Sequence, residues 1–236
     1  MNNREMMLPD NRYLELVGRL NRFYGQVARD QNQSIMKQIS GKTVLEVGCG
    51  YGLLIDQVNI RGRAFGVDHD FDAVHTGKQV FNNDLVNSDS YSLCFPNKSV
   101  DSIVLRETAH HLDMEKALPE LIRVAKKEII IFEPNSIFLV KAARKIIRHE
   151  DYEAPLLELK RVLEKNGLTI KGISFRDILA FPLSGGLVGY ELIPNVKWLG
   201  SLLLWFDHFL VNIFSSLGIE SFFCWRYLVI ASMLEG

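Results

Sequence analysis

Apolar and polar positions change period along the chain, and the changes divide it into elements. From residue 11 to 39, Tyr13/Leu14, Val17, Leu20, Phe23/Tyr24, Val27, Ile35/Met36 and Ile39 recur roughly at helical spacing, which predicts one or two helices. Short apolar runs follow at Val44-Leu45 with Val47, Ala64-Phe65 with Val67, Leu85-Val86, Ile103-Val104-Leu105 and Ile129-Ile130-Ile131-Phe132. Such runs predict strands covered on both faces, as in a parallel sheet. The stretches 53–58, 71–81 and 113–127 between them read as helices, the last with Asp113 as its N-cap. A helix over 155–166 stops at Asn166-Gly167, and strands are expected over 168–175 and 225–233. The alternation predicts an α/β domain with helices on both faces of one sheet.

Two segments stand outside this rhythm. Residues 137–148 mix Ile137, Phe138, Val140, Ile146 and Ile147 with Lys141, Arg144, Lys145 and Arg148, an amphipathic basic helix. Residues 181–190 read as a flexible apolar loop, and 198–217 as a very hydrophobic helix. Leu199, Leu202/Leu203, Phe206, Phe209/Leu210, Ile213 and Leu217 give that helix one broad apolar face, expected as core or dimer contact first and membrane-surface docking second. A membrane span is not expected, because Asp207, His208 and Asn212 sit near its middle and the final strand must return to the same sheet.

Composition narrows the chemistry. The 236 residues suit a single domain, with a helical cap at about 10–40 and an apolar insertion at about 178–222. A formal charge of -1 provides no field to concentrate nucleic acid, so no nucleic-acid partner is expected; a monomer and a homodimer are both compatible with the sequence. Cys49, Cys94 and Cys224 are too scattered for a disulfide framework or a zinc site; no metal is expected and a reducing cytoplasm fits. Residues 1–10 lack the apolar core of an export signal.

The candidate chemistry centres on Val44-Leu45-Glu46-Val47-Gly48-Cys49-Gly50-Tyr51-Gly52, a buried strand that runs into a glycine turn and a helix. The third glycine of a dinucleotide fingerprint is replaced by Leu53, and the Gly-Lys-Ser/Thr of a phosphate loop is absent. Asp68, at the end of the second strand and 16 residues after Gly52, can accept hydrogen bonds from a ribose diol. Gly-x-Gly-x-Gly after Leu-Glu-Val resembles the class I methyltransferases that use S-adenosylmethionine. Residues 88–101, Ser-Asp-Ser-Tyr-Ser-Leu-Cys-Phe-Pro-Asn-Lys-Ser-Val-Asp, resemble the G-D-A-x-x-L-P-F-P-D-x-S-F-D stretch of the ubiquinone and menaquinone methyltransferases.

That resemblance implies a three-layer, Rossmann-like sheet of seven strands with the last antiparallel, and methyl transfer that leaves S-adenosylhomocysteine. It implies that Gly48, Cys49, Gly50, Tyr51 and Gly52 form the cofactor turn, with Glu46 and Arg106 at the methionine end. Asp68 and His69 would lie at the ribose, and Asp89 and Ser90 at the adenine. Family members more often carry small or apolar residues where this chain has Arg106-Glu107. His110, His111 and Glu107, on the loop after the fourth strand, are the candidate catalytic bases should the acceptor need to lose a proton; at least one histidine is expected to be structural. Glu133, at the end of the fifth strand, either borders the methyl group or caps a neighbouring element. The acceptor is expected to be small and apolar. Two other readings are a non-catalytic module that binds the cofactor and a membrane-surface interaction protein.

Overall fold

The computed structural model describes residues 11–58, 63–136, 155–186 and 190–233. Residues 1–10, the chain break expected at Gly62, the basic helix expected over 137–148 and residues 187–189 of the apolar loop lie outside the described residues. Seven strands form one sheet: β1 (Thr43–Val47), β2 (Arg63–Asp68), β3 (Asp84–Asn87), β4 (Val100–Arg106), β5 (Ala125–Pro134), β6 (Leu168–Arg176) and β7 (Arg226–Met233). Their order is β3-β2-β1-β4-β5-β7-β6. β7 runs antiparallel to both neighbours and the other pairings are parallel. The expected α/β architecture with an antiparallel final strand is the one observed.

The helices are α1 (Asn11–Leu20), α2 (Phe23–Met36), α3 (Leu53–Val58), α4 (Phe71–Phe81), α5 (Met114–Val124), α6 (Leu156–Lys165), α7 (Ala180–Leu183) and α8 (Lys197–Ser216). Alternate strand positions feed two cores. Val44, Val104, Ile130 and Phe132 pack with Ile35 of α2 and Leu54 and Ile55 of α3. Leu45, Val47, Ile103, Leu105 and Ile131 pack on the other face with Leu118 and Leu121 of α5 and Leu159 and Leu163 of α6. Burial of each such side chain stabilises the fold by about 1.5–3 kcal/mol, so both faces must be covered and the strands read as continuous apolar runs. Cys49 and Cys224 are buried in this framework and Cys94 is exposed.

Three expectations are corrected. The helix expected over 113–127 ends at Val124, because Ala125 already pairs with Val100 and starts β5. Lys126 and Lys127 are exposed at the entry to that strand, where a charged pair looks the same as a solvated helix face. The loop expected from residue 181 opens instead with the short helix α7.

The third correction concerns α8, whose apolar face is not core: only Gly200 and Asp207 of this helix are buried. Gly200 lets α8 approach α2, where a Cβ would lie 2.7 Å from the Gln26 side chain and 2.8 Å from the Phe23 ring. Asp207 Oδ1 accepts the backbone N–H groups of Ile178, Leu179 and Ala180 at 3.0, 2.5 and 2.9 Å. His208 Nε2 lies 2.9 Å from Asp30 Oδ2 on α2, and Asp30 also pairs with Arg176. Polar latches hold this helix, with modest help from half-buried Leu203 and Leu204 beside Phe23, Val27 and Ala180.

Candidate active site

The carboxyl ends of β1 and β4 are neighbours at the centre of the sheet, and the loops that leave them diverge there. In open α/β sheets this is where ligands bind. Gly48, Gly50 and Gly52 take φ of 75°, 52° and 79°, values that other residues rarely adopt. At Gly48 a Cβ would lie 2.3 Å from the Thr108 side chain, so the β1 and β4 loops touch only because it is absent. At Gly50 a Cβ would meet nothing within 4 Å; the turn faces open space.

That space is a cleft of about 710 Å³ lined by Gly48, Gly50, Asp68, His69, Asp89, Ser90, Tyr91, Glu107, Thr108, His111 and Leu112. A second hollow of about 260 Å³ continues beneath Gly48 and Gly50 to Glu46, Tyr51, Arg106, Tyr24 and Leu20. The structure therefore brings the glycine turn, the acid of β2, the 88–101 loop and the β4 loop to one place.

Asp68 Oδ2 accepts the Gly50 N–H at 2.7 Å and Oδ1 accepts the Asp70 N–H at 2.9 Å, which ties the β2 end to the glycine turn. A carboxylate has about four lone-pair directions, so capacity is left for a diol. His69 Nδ1 lies 3.3 Å from Asp68 Oδ1, with its ring in solvent. Asn87 Nδ2 donates to the carbonyls of Asp68 and His69, both at 2.9 Å, and fixes the strand end. Asp89 Oδ1 accepts the Tyr91 N–H at 2.9 Å and shapes the adjoining loop. The same loop is clamped on α5: Glu120 accepts the Leu93 N–H, and Arg123 donates to the carbonyls of Leu93 and Phe95.

Glu46 is buried at 2 % exposure, and its Oε2 has no hydrogen-bond partner. Burial pushes its carboxyl up to about 8; Arg106 opposes that rise and Asp68 adds to it. Arg106 likewise keeps a buried Nε without a partner. A buried carboxyl group with one unpartnered oxygen and a guanidinium with an unpartnered Nε in one hollow suit a zwitterionic ligand end, whose ammonium would favour ionised Glu46 and whose carboxylate would face Arg106. Together with the open turn and the diol-ready acid, these residues fit S-adenosylmethionine. Cys49 contributes its backbone to the turn, while its side chain packs inward where a Cβ on Gly66 would meet it. Tyr51 packs edge-on against Tyr13 with ring centroids 5.3 Å apart.

The three candidate bases occupy different environments. His110 is turned into the protein: its Nδ1–H donates to Glu133 Oε2 at 2.5 Å, and its other side lines a separate hollow of about 230 Å³ with Leu159 and Val162. Glu133, fully buried, also accepts the N–H groups of Thr108 and Ala109 at 2.8 and 2.6 Å. It therefore caps the 3₁₀ turn Ala109–His111 that carries both histidines. His111 is exposed and lines the large cleft. Glu107 takes φ of 52° and accepts a hydrogen bond from Arg226 Nε at 2.8 Å. Burial raises its carboxyl, but Arg226 and Arg106 outweigh that and hold it below the ordinary range, which makes it a weak base.

Sequence reading missed Arg226 and Phe181. Arg226 is buried at the head of β7, and its guanidinium lies 3.8 Å from the centroid of the Phe181 ring. A charged residue that opens an otherwise apolar strand was the available signal. Its partner Glu107 is 119 residues away, and no local pattern links them.

Comparison with known proteins agrees with this geometry. Residues 45–133 match the family described as "Methyltransferase domain". No curated protein sequence matches the chain. A methyltransferase from Archaeoglobus fulgidus that depends on S-adenosylmethionine superposes with a TM-score of 0.63 at 19% identity, covering 88% of this chain and 93% of its own. The geranyl diphosphate C-methyltransferase of Streptomyces coelicolor A3(2) gives 0.65 at 16% identity, covering 89% and 80%. Magnesium protoporphyrin IX methyltransferase from Synechocystis PCC 6803, with bound S-adenosylhomocysteine, gives 0.57 at 13%, covering 87% and 83%. The matched stretch runs from β1 through the glycine turn to Glu133 and contains every residue that lines the large cleft, so this part of the chain is similar to a methyltransferase domain, and the chain as a whole shares the fold of methyltransferases that depend on S-adenosylmethionine.

Proposed function

We propose that the chain methylates a small apolar acceptor held beside the β4 loop. The observation that carries this reading is the single cleft lined by Gly48, Gly50, Asp68, Asp89, Ser90, Glu107 and His111. S-adenosylmethionine, when bound, supplies an activated methyl on a sulfonium. The chain's own residues then bind, orient and exclude water. Glu46 and Arg106 would hold the ammonium and carboxylate of the methionine end, Asp68 the ribose hydroxyls, and Asp89 with the Ser90 backbone the adenine edge. For an acceptor that must lose a proton, His111 is the base we favour, because it is exposed in the cleft, whereas His110 is turned into the protein and the neighbouring arginines hold the Glu107 carboxyl below its ordinary range.

Apolar character is supported by Leu112 in the cleft lining and by Leu20, Leu53 and Leu54 in the adjoining hollow. The likeness of residues 88–101 to the ubiquinone and menaquinone enzymes supports the same acceptor class.

The first test is calorimetric titration with S-adenosylmethionine and S-adenosylhomocysteine. Micromolar affinity, about -8 kcal/mol, that weakens at least about tenfold in Asp68→Ala is the expected result. No binding by a folded chain overturns the assignment. On an acceptor found by screening apolar hydroxyl compounds, His111→Asn should lower kcat and flatten its pH profile while the cofactor affinity is unchanged.

A further inference from the structure

We propose that α8 lies on an anionic lipid surface and docks the protein to it. The inference goes beyond methyl transfer and is tested independently of it. On the helix, Trp198, Leu202, Trp205, Phe209, Ile213 and Leu217 fall within one sector about 120° wide, and all are exposed, Trp198 at 68 % and Trp205 at 63 %. Gly200 and Asp207 mark the side turned to the protein. Lys197, Ser201, His208, Asn212 and Ser215 form a third, polar sector. A helix with a latched side, an apolar side and a polar flank has the layout of one lying in the plane of an interface. Phe222, 67 % exposed, and Phe223 extend the apolar stripe just past the helix end.

Charge around this stripe is sorted by sign. Three acids nearby are turned inward and bonded, Asp207 to three backbone N–H groups, Asp30 to Arg176 and His208, and Glu191 to the Tyr24 N–H at 3.0 Å, while a fourth, Glu220 beside Phe222, is half-buried with its Oε2 shielded from solvent. The bases Lys197 on α8, Arg22 just before the adjoining α2 and Arg29 on it are exposed. Bases beside exposed tryptophans complement an anionic headgroup layer, where indole rings are favoured. A second copy of the chain fits less well. A single helix ridge about 30 Å long and 10 Å wide presents roughly 300 Å², against about 800 Å² per partner in a stable dimer. A twofold pairing would also set the same bases against each other. By length and composition α8 could cross a bilayer, but its contacts with α2 and the return of the chain into β7 keep it on the protein.

The test is co-sedimentation of the full chain with vesicles of phosphatidylcholine alone and of phosphatidylcholine with phosphatidylglycerol, together with tryptophan emission. Binding to the anionic vesicles, a blue shift and loss of binding at high salt are expected. Trp198→Ser with Trp205→Ser should weaken partitioning about tenfold or more. Arg22→Glu with Arg29→Glu and Lys197→Glu should remove the preference for phosphatidylglycerol. All these positions are exposed, and unchanged thermal unfolding and S-adenosylhomocysteine affinity would show that fold and site are intact. A folded chain that binds the cofactor and neither vesicle overturns this inference alone. Concentration-dependent dimers abolished by the tryptophan variants, without vesicle binding, also overturn it and assign the face to a second copy.

Discussion

Glu133 and Asp207 solve the same problem in different parts of the molecule. Each is a fully buried carboxylate that accepts backbone N–H groups from a short turn: Thr108 and Ala109 for one, Ile178, Leu179 and Ala180 for the other. Glu133 projects from the end of a central strand and adds His110 to its set. Asp207 projects from a helix whose other side is apolar and exposed. One carboxylate sits within the packing that defines the domain. The other supplies the attachment that packing does not, so the insertion is held by a few polar contacts and is the more separable part.

The sharpest way to break this comparison is to remove each carboxylate. Glu133→Ala leaves two buried N–H groups and a histidine unsatisfied and should cost about 3–5 kcal/mol in denaturant unfolding, with methyl transfer lost. A loss below about 1 kcal/mol would mean that water replaces the carboxylate. Asp207→Ala should cost about 2–4 kcal/mol. Its S-adenosylhomocysteine affinity should stay within about threefold of the parent, since nothing in the cleft touches Asp207. Equal loss of cofactor binding in both variants would abolish the distinction between core and attachment.

Arg226 links the two territories, with Glu107 on one side and the Phe181 ring on the other. Arg226→Lys keeps the charge but loses the planar contact. It should destabilise by about 1–2 kcal/mol and impair turnover more than cofactor affinity. The smallest effect concerns pH. Burial and nearby Asp177 raise Asp207 despite the N–H groups that lower it, and the hydrogen bond that His208 donates to Asp30 raises His208. Groups raised on folding stabilise fully below their unfolded values, here 3.8 and 6.5, and lose that contribution as pH climbs through the folded values. Amide exchange at 178–180, corrected for intrinsic rate, should therefore show roughly two- to threefold weaker protection above pH 6.5, solvent screening keeping the change small. A flat profile would leave the latch without a titrating part.

The central sheet was legible because strands buried on both faces carry contiguous apolar runs, and the cofactor turn because glycine at 48, 50 and 52 has few other reasons to recur. Asp68 was legible from its place after β2. The start of β5 was not, since Lys126 and Lys127 suit the surface of either a helix or a strand. The orientation of α8 was not, because a helix apolar on most sides does not declare which side is covered; Asp207, the residue that decides it, looked only like a charge out of place. The division of labour between His110 and His111 was also hidden, because it depends on Glu133, which reaches their turn only through strand pairing.

The cysteines have a practical consequence. Burial raises the thiols of Cys49 and Cys224, the latter to about 12, so neither offers thiolate to a reagent near neutral pH. Cys94 is exposed on the clamped 88–101 loop, between the backbone groups that Glu120 and Arg123 hold. A maleimide dye added to the unaltered chain should therefore attach at one position, on a firm support beside the cleft, and serve as a fluorescent reporter of ligand entry without any engineered residue.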